Sequence, residues 1–175
     1  LKTQNEAFLK LRKLEKAKSD ADEVLQKNIE SVLEKTENEL NSKMRDINFG
    51  LFKSARKPPQ IHFLDHNRFT FDTPDDTGTG SNYKGMVVFD LAMLECSALP
   101  ALAHDSLLFK NWEKSVEDGI IREYARSKKQ IFIAFDKQGD CSPSTRKILE
   151  DKAMLRLGTD GKELYGRCWN KEETD

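Results

Sequence analysis

Residues 77–106 read TGTGSNYKGMVVFDLAMLECSALPALAHDS, and the order of parts within this stretch decides the fold. Small residues from Gly78 to Ser81 predict a turn. Asn82–Glu95 predicts a helix that is apolar at nearly every position from Met86 to Leu94, and so buried on most sides. Leu99–Ala103 predicts a short apolar strand, with Pro100 tolerable only at its start or on an edge. Asp105 follows just past the end of that strand. A turn leading into a helix aims backbone N–H groups at an anion. An acid at the carboxyl end of a strand stands where α/β proteins hold ligands. Together these point to one half of a nucleotide-binding site, with the other half expected outside this chain.

Outward from this stretch the pattern stays mixed. Ile61–Leu64 and Arg68–Phe71 alternate around Asp65-His66-Asn67, a hairpin signal. Downstream, Trp112–Ser127 predicts an amphipathic helix with Trp112, Val116, Ile120 and Tyr124 on one face. Gln130–Phe135, QIFIAF, predicts a buried strand. Pro143–Glu150 predicts a short helix, and Met154–Leu157 with Glu163–Tyr165 a final hairpin. The body at 61–175 is therefore α/β. A hairpin leads into helix, strand, helix and strand as one right-handed crossover unit.

Residues 1–47 contain neither Gly nor Pro and are rich in helix formers. Leu11, Leu14, Ala21, Leu25 and Val32 recur close to a seven-residue repeat, with Lys18 and Asn28 interrupting the seam. A second apolar set runs Leu33, Leu40, Met44 and Ile47. Glu6/Lys10, Glu23/Lys27 and Glu39/Lys43 are i,i+4 pairs in the favourable order. The segment reads as a coiled-coil helix, with an ordinary surface helix as the alternative. Residues 48–60, with Gly50 and Pro58-Pro59, read as the linker to the body.

The charged fraction of 34% and apolar fraction of 37% fit a long solvated helix beside a modest core, and the net charge of -1 carries no demand for nucleic acid. Cys96, Cys141 and Cys168 are odd in number and form no CxxC pair, which argues against a zinc site or disulfide framework. A reduced, cytoplasmic protein is the expectation. No apolar run approaches the roughly 18 residues of a membrane span. The chain opens at Leu1 inside a helical pattern, so a fragment of a longer protein is expected.

Gly78-Thr79-Gly80-Ser81 can bring backbone close to a phosphate, and Ser81 can cap the helix or bond an oxygen. No GxxxxGK[ST] string occurs, and Tyr83 stands where GxGxxG needs its third glycine. A plain turn with a serine cap explains the same residues. Asp105 can hold Mg²⁺ or cap the next helix, a task open to Ser106 as well. His104 is either catalytic or a structural hydrogen-bonder. Asp136 and Lys137 follow QIFIAF and reach the sheet edge of Asp105 if the two strands are parallel; Lys137 otherwise belongs to a solvated loop. Asp72, Asp75 and Asp76 read as surface residues. A metal-dependent nuclease is a third possibility, without the D…ExK pattern that would support it.

The run GTGSNYKGMVVFDLAML, with ALAHDS and KKQIFIAFDK after it, resembles the C-terminal uncharacterised domain of YydD-like ATPases, relatives of the SMC, RecN and RecF-type ABC ATPases. The likeness covers about Pro59 to Lys137, with the coil in front. It implies the C-terminal lobe of a split ATPase head. An N-terminal lobe would supply Walker A, and the head would dimerise through two ATP molecules with Mg²⁺. Gly78, Thr79, Gly80 and Ser81 match the signature motif, Asp105 the Walker B Asp, Ser106–Lys110 the D-loop and Asp136 the switch position. The signature departs from its usual form, which begins with Ser and continues with two Gly. His104-Asp105-Ser106 replaces the usual Asp-Glu, so Asp105 aligns either with the metal-side Asp or with the general base, His104 then taking the metal side. The resemblance further implies DNA as a partner, a role in DNA repair or phage defence, and no ATP hydrolysis by this lobe alone. The rival reading is a coiled-coil protein-interaction module without nucleotide chemistry.

Overall fold

The absence of helix breakers before residue 48 has a direct outcome: one helix, α1, runs from Lys2 to Phe52. The structure is a computed structural model describing residues 2–53, 56–74, 79–109, 112–159 and 161–166. Helix α1 continues past Ile47 and through Gly50, so the first residues of the expected linker are helical. The two apolar sets on α1 have different fates. Leu11, Leu14, Leu25 and Val32 are all more than half exposed, whereas Leu40, Met44 and Ile47 are buried. The second set packs α1 on the following helix and on the first strand.

Strands β1 (Gln60–Asp65) and β2 (Arg68–Asp72) pair antiparallel as the expected hairpin, with an irregularity between Phe63 and Asp65. Side chains of α1 cover the outer edge of β1. Asn41 donates to the Ile61 carbonyl at 2.8 Å and accepts the Ile61 N–H at 2.9 Å. Glu37 accepts the Phe63 N–H at 2.8 Å and pairs with His62 at 3.0 Å. Two side chains thus stand in for a neighbouring strand.

Helix α2 (Thr79–Cys96) buries Val87, Val88, Leu91, Ala92 and Leu94. Gly85 lets it approach the hairpin: a Cβ there would meet Thr73 Oγ1 at 2.9 Å. Lys129 closes the far end of α2 by donating to the carbonyls of Leu94 and Ser97. Lys43 pairs with Glu95 on α2, where spacing had suggested Glu39 of its own helix.

Strands β3 (Ala101–His104) and β4 (Gln130–Ile133) pair in parallel, in register Ala103 to Phe132 and His104 to Ile133. Helix α3 (Lys114–Arg126) lies between them in sequence, the expected strand–helix–strand order. Helix α4 (Pro143–Lys152) follows, capped by Ser142, whose side chain accepts from the Thr145 N–H. The fold is mixed α/β, with two small sheets.

The chain forms two compact units, Leu1–Asn111 with Lys128–Ala134, and Trp112–Ser127 with Phe135–Asp175. In the second, Val116, Ile120 and Tyr124 of α3 are buried, as their spacing predicts, and Ile121 is buried beside them. The expected final hairpin is not formed: no strand occurs among the described residues after β4. Met154, Leu155, Leu157, Leu164 and Tyr165 are each at least 58% exposed, so they lack the packed face that would stabilise a strand pair.

Candidate functional site

The helix at the centre of the expected site begins earlier than its pattern suggests. Thr79, Gly80 and Ser81 form the first turn of α2 and are not a loop ahead of it. Gly78 lies outside the described residues, as do Asp75, Asp76, Lys110 and Cys168.

Strand β3 delivers His104 and Asp105 to its carboxyl end in opposite settings. Residues alternate along the strand: Ala103 is exposed, His104 buried and Asp105 exposed. One Asp105 carboxylate oxygen, Oδ1, accepts the N–H of Ser106 at 2.6 Å, and its carbonyl accepts the N–H of Leu108 at 3.1 Å. These bonds start a 3-10 turn over Ser106–Phe109, in the segment expected to be the D-loop. Asp105 therefore caps a turn while keeping an exposed carboxylate at the strand end.

His104 is directed into the body. Its side chain is only 2% exposed, and Nε2 lies 3.0 Å from Asp90 Oδ2 on α2. Its backbone carbonyl accepts the N–H of Ala134 at 2.9 Å. The imidazole thus meets a carboxylate of the packing helix. Asp90 went unread in the sequence, although the signal was there. It is the only charged residue in the apolar run Met86–Leu94. Ser81 and Asp90 are nine residues apart on α2, about 14 Å along its axis. The signature-like turn thus lies about two and a half turns along α2 from the carboxylate that meets His104.

Asp136 lies three residues beyond β4 in the second unit and is exposed. The loop that follows is firmly held. Lys137 Nζ lies 2.9 Å from Glu117, a carboxylate with a 3% exposed side chain. This replaces the solvated loop expected for Lys137. Asp118 accepts the Ser142 N–H at 3.2 Å, and Arg146 donates to the Gly139 carbonyl at 2.8 Å. Burial opposes ionisation of Asp118, but hydrogen bonds from Thr145 and Ser142 outweigh it and hold the carboxyl below its ordinary value.

Burial pushes the thiols of Cys96 and Cys141 up, away from the thiolate form that reacts or binds metal. Among the described residues no three His, Cys, Asp or Glu side chains gather as a metal cluster. No helix there is long and apolar enough to cross a membrane.

On the β3–β4 sheet, Leu102, His104, Ile131 and Ile133 share one face, and each is buried or half-buried. On the opposite face Ala103 pairs with Phe132; both are exposed, Phe132 to 52%. Among the described residues each strand has one partner.

The family described as "Uncharacterised protein conserved in bacteria (DUF2326)" matches residues 28–164. No curated protein matches the chain. Among solved structures the chain is similar to one described under "Structural biochemistry of ATP-driven dimerization and DNA stimulated activation of SMC ATPases". The identity is 11% and the TM-score 0.49, over 73% of this chain and 80% of that one.

Proposed function

This chain belongs to the DUF2326 family, and from that premise we propose that it is the C-terminal lobe of a YydD-like, SMC- and RecN-related ABC ATPase head. The observation that carries the reading is the open face of the β3–β4 sheet. Parallel sheets are ordinarily covered on both faces and belong to larger sheets. Here two parallel strands carry an exposed Phe132 opposite Ala103, and each strand has one partner among the described residues. Such a sheet is completed by further strands, and an N-terminal lobe of the same protein is the proposed source.

In this reading α1 is the returning coil, the segment between α1 and β1 the linker, and the chain from β1 onward the lobe. Leu11, Leu14, Leu25 and Val32 then form the seam that meets a second helix. The N-terminal lobe supplies Walker A. Gly78, Thr79, Gly80 and Ser81 serve the nucleotide of a second copy. That division fits the distance along α2 between Ser81 and the His104 anchor.

Mg²⁺ takes one or two carboxylates together with phosphate oxygens and water. A lone exposed carboxylate at a strand end, Asp105, fits that donor set. The remaining ligands come from ATP and the other lobe. Bound Mg²⁺ would neutralise phosphate charge. Asp105 is assigned to its metal side, His104 stays beneath the sheet, and Asp136 takes the switch position. DNA as partner, a role in repair or phage defence, and a cytoplasmic setting complete the proposal.

The test is ATP turnover by the complete protein. Asp105→Ala and Gly80→Trp should each lower it by about a hundredfold or more, and the 175-residue chain alone should show none. Turnover by the chain alone would refute the missing lobe. A complete protein that neither binds nor hydrolyses ATP would return the chain to the coiled-coil interaction module.

A further inference from the structure

We infer that Asp90 and His104 form a latch between α2 and β3 that holds Asp105 in place, which makes both of them positioning residues of the proposed ATP site. The inference rests on the ATPase-head reading for its function, but the latch itself rests on geometry. Three elements meet at His104. Asp90 of α2 bonds its Nε2 at 3.0 Å, the Ala134 N–H beyond β4 bonds its carbonyl at 2.9 Å, and the Phe109 ring meets its imidazole edge-on at 6.5 Å between centroids. Phe109 is 1% exposed and ends the 3-10 turn that begins directly after Asp105.

Asp105 is thus held from both sides. Its N-terminal neighbour is tied to α2 and to the residue after β4. On its C-terminal side its own carbonyl accepts the Leu108 N–H at 3.1 Å, one residue before the buried Phe109. The carboxylate has little backbone freedom although it is exposed. Geometry of this kind is what a metal-side acid needs, because small displacements of catalytic groups are costly in rate.

Stability alone does not favour this choice of residues. A polar pair at a helix–strand contact carries a desolvation cost that an apolar pair of similar volume avoids. It does add direction. The carboxylate accepts from Nε2–H and so fixes both the tautomer and the rotation of the ring. The same helix carries Thr79–Ser81 in its first turn. The latch therefore connects the signature-like turn and the strand-end acid through one rigid element.

The experiment uses two readouts. Hydrogen exchange is measured on the 175-residue chain as wild type, Asp90→Ala and Asp90→Asn. ATP turnover is measured on the same variants of the complete protein. Asp90→Ala should speed exchange at the Leu108 and Ala134 amides by about tenfold or more, with less than about twofold change at Ile61 in the hairpin. It should lower kcat by about a hundredfold while KM for ATP stays within about threefold. Asp90→Asn keeps an acceptor for Nε2–H and should restore both. If Asp90→Ala does not fold, Asp90→Ser takes its place, since its side chain is too short to reach the ring.

Unchanged exchange in the alanine or serine variant overturns the latch. Faster exchange with kcat intact overturns the positioning role and leaves an ordinary structural pair. Loss of kcat without rescue by Asn also overturns it. A wild-type complete protein without ATP turnover sinks the head reading, and the positioning role with it. The exchange data would still report separately whether the latch exists.

Discussion

Replacing Asn41 with Ala removes the side chain that imitates a neighbouring strand. Asn41 makes two bonds to one residue: its Nδ2 donates to the Ile61 carbonyl at 2.8 Å and its Oδ1 accepts the Ile61 N–H at 2.9 Å. Ile61 is 3% exposed, so water reaches these backbone groups poorly. Each bond is worth about 0.5–1.5 kcal/mol net, and a buried group left unpaired costs about 1–3 kcal/mol. Partial access of water after truncation puts the loss at about 2–3 kcal/mol. For a chain of this length that is a fall of about 4–12 °C in Tm. Asn41→Asp sharpens the test. It keeps the acceptor for Ile61 N–H but sets a carboxylate oxygen against the Ile61 carbonyl, so at pH 7 it should be no more stable than Asn41→Ala. Urea unfolding followed by far-UV circular dichroism measures the loss, and hydrogen exchange at Ile61 localises it. A loss below about 0.5 kcal/mol, the range of ordinary surface changes, would refute the reasoning. So would an aspartate variant as stable as the wild type.

Four further outcomes follow from the same geometry. Gly85→Ala should destabilise by about 1 kcal/mol, because the strain of a Cβ 2.9 Å from Thr73 Oγ1 exceeds the helix-propensity gain, and Thr73→Ala should recover the loss in the double variant. Met44→Ala, at a fully buried position of α1, should cost about 2–5 kcal/mol in thermal or urea unfolding. Leu25→Ala, at a position 58% exposed, should change the stability of this chain by less than about 0.5 kcal/mol but weaken any pairing of the coil, read by sedimentation. The His62 hydrogen bond and the Phe63 N–H lower the Glu37 carboxyl below its ordinary 4.5 against the opposing effect of burial, and Asp118 is lowered below 3.8. Both groups then bind more protons unfolded than folded, so their contribution is complete above those ordinary values and is lost as pH falls through the folded ones. Glu37→Gln and Asp118→Asn should each flatten the acid limb of a stability–pH curve.

Local periodicity carried much of the fold. The hairpin and α3 were legible from their periods, and α2 and the parallel pair from apolar runs set between clear breaks, although QIFIAF, expected to be a buried strand, leaves Phe132 52% exposed. The boundary of α1 was less so, because Gly50 is a permissive residue inside a helix that packs through Met44, Ile47 and Phe52. Tertiary contact there overrides a weak breaker. The missing final hairpin has the converse cause. MLRL and ELY alternate suitably, yet no packed face receives them, and alternation alone does not stabilise two short strands.

The candidate site was legible in part. Asp105 stands past a strand end, as its position after an apolar run indicated. The turn at Thr79–Ser81 was misplaced by a few residues because Gly and Ser read as loop, while the first turn of a helix tolerates both. The partner of His104 was invisible to spacing rules: Asp90 lies 14 residues away on another element, and only packing brings the two together. The anchors at Glu37, Asn41, Glu117 and Lys137 share that property. Each is a polar side chain whose partner is distant in sequence.

The most direct test of the central claim concerns Phe132 and its strand. Hydrogen exchange across Ala101–His104 and Gln130–Ile133 should be compared between this chain alone and the complete protein carrying the proposed N-terminal lobe. Slowing of about tenfold or more is expected in the complete protein, as further strands pair with the open edges of the sheet. Equal exchange in the two would contradict it, since the sheet would then be finished as it stands.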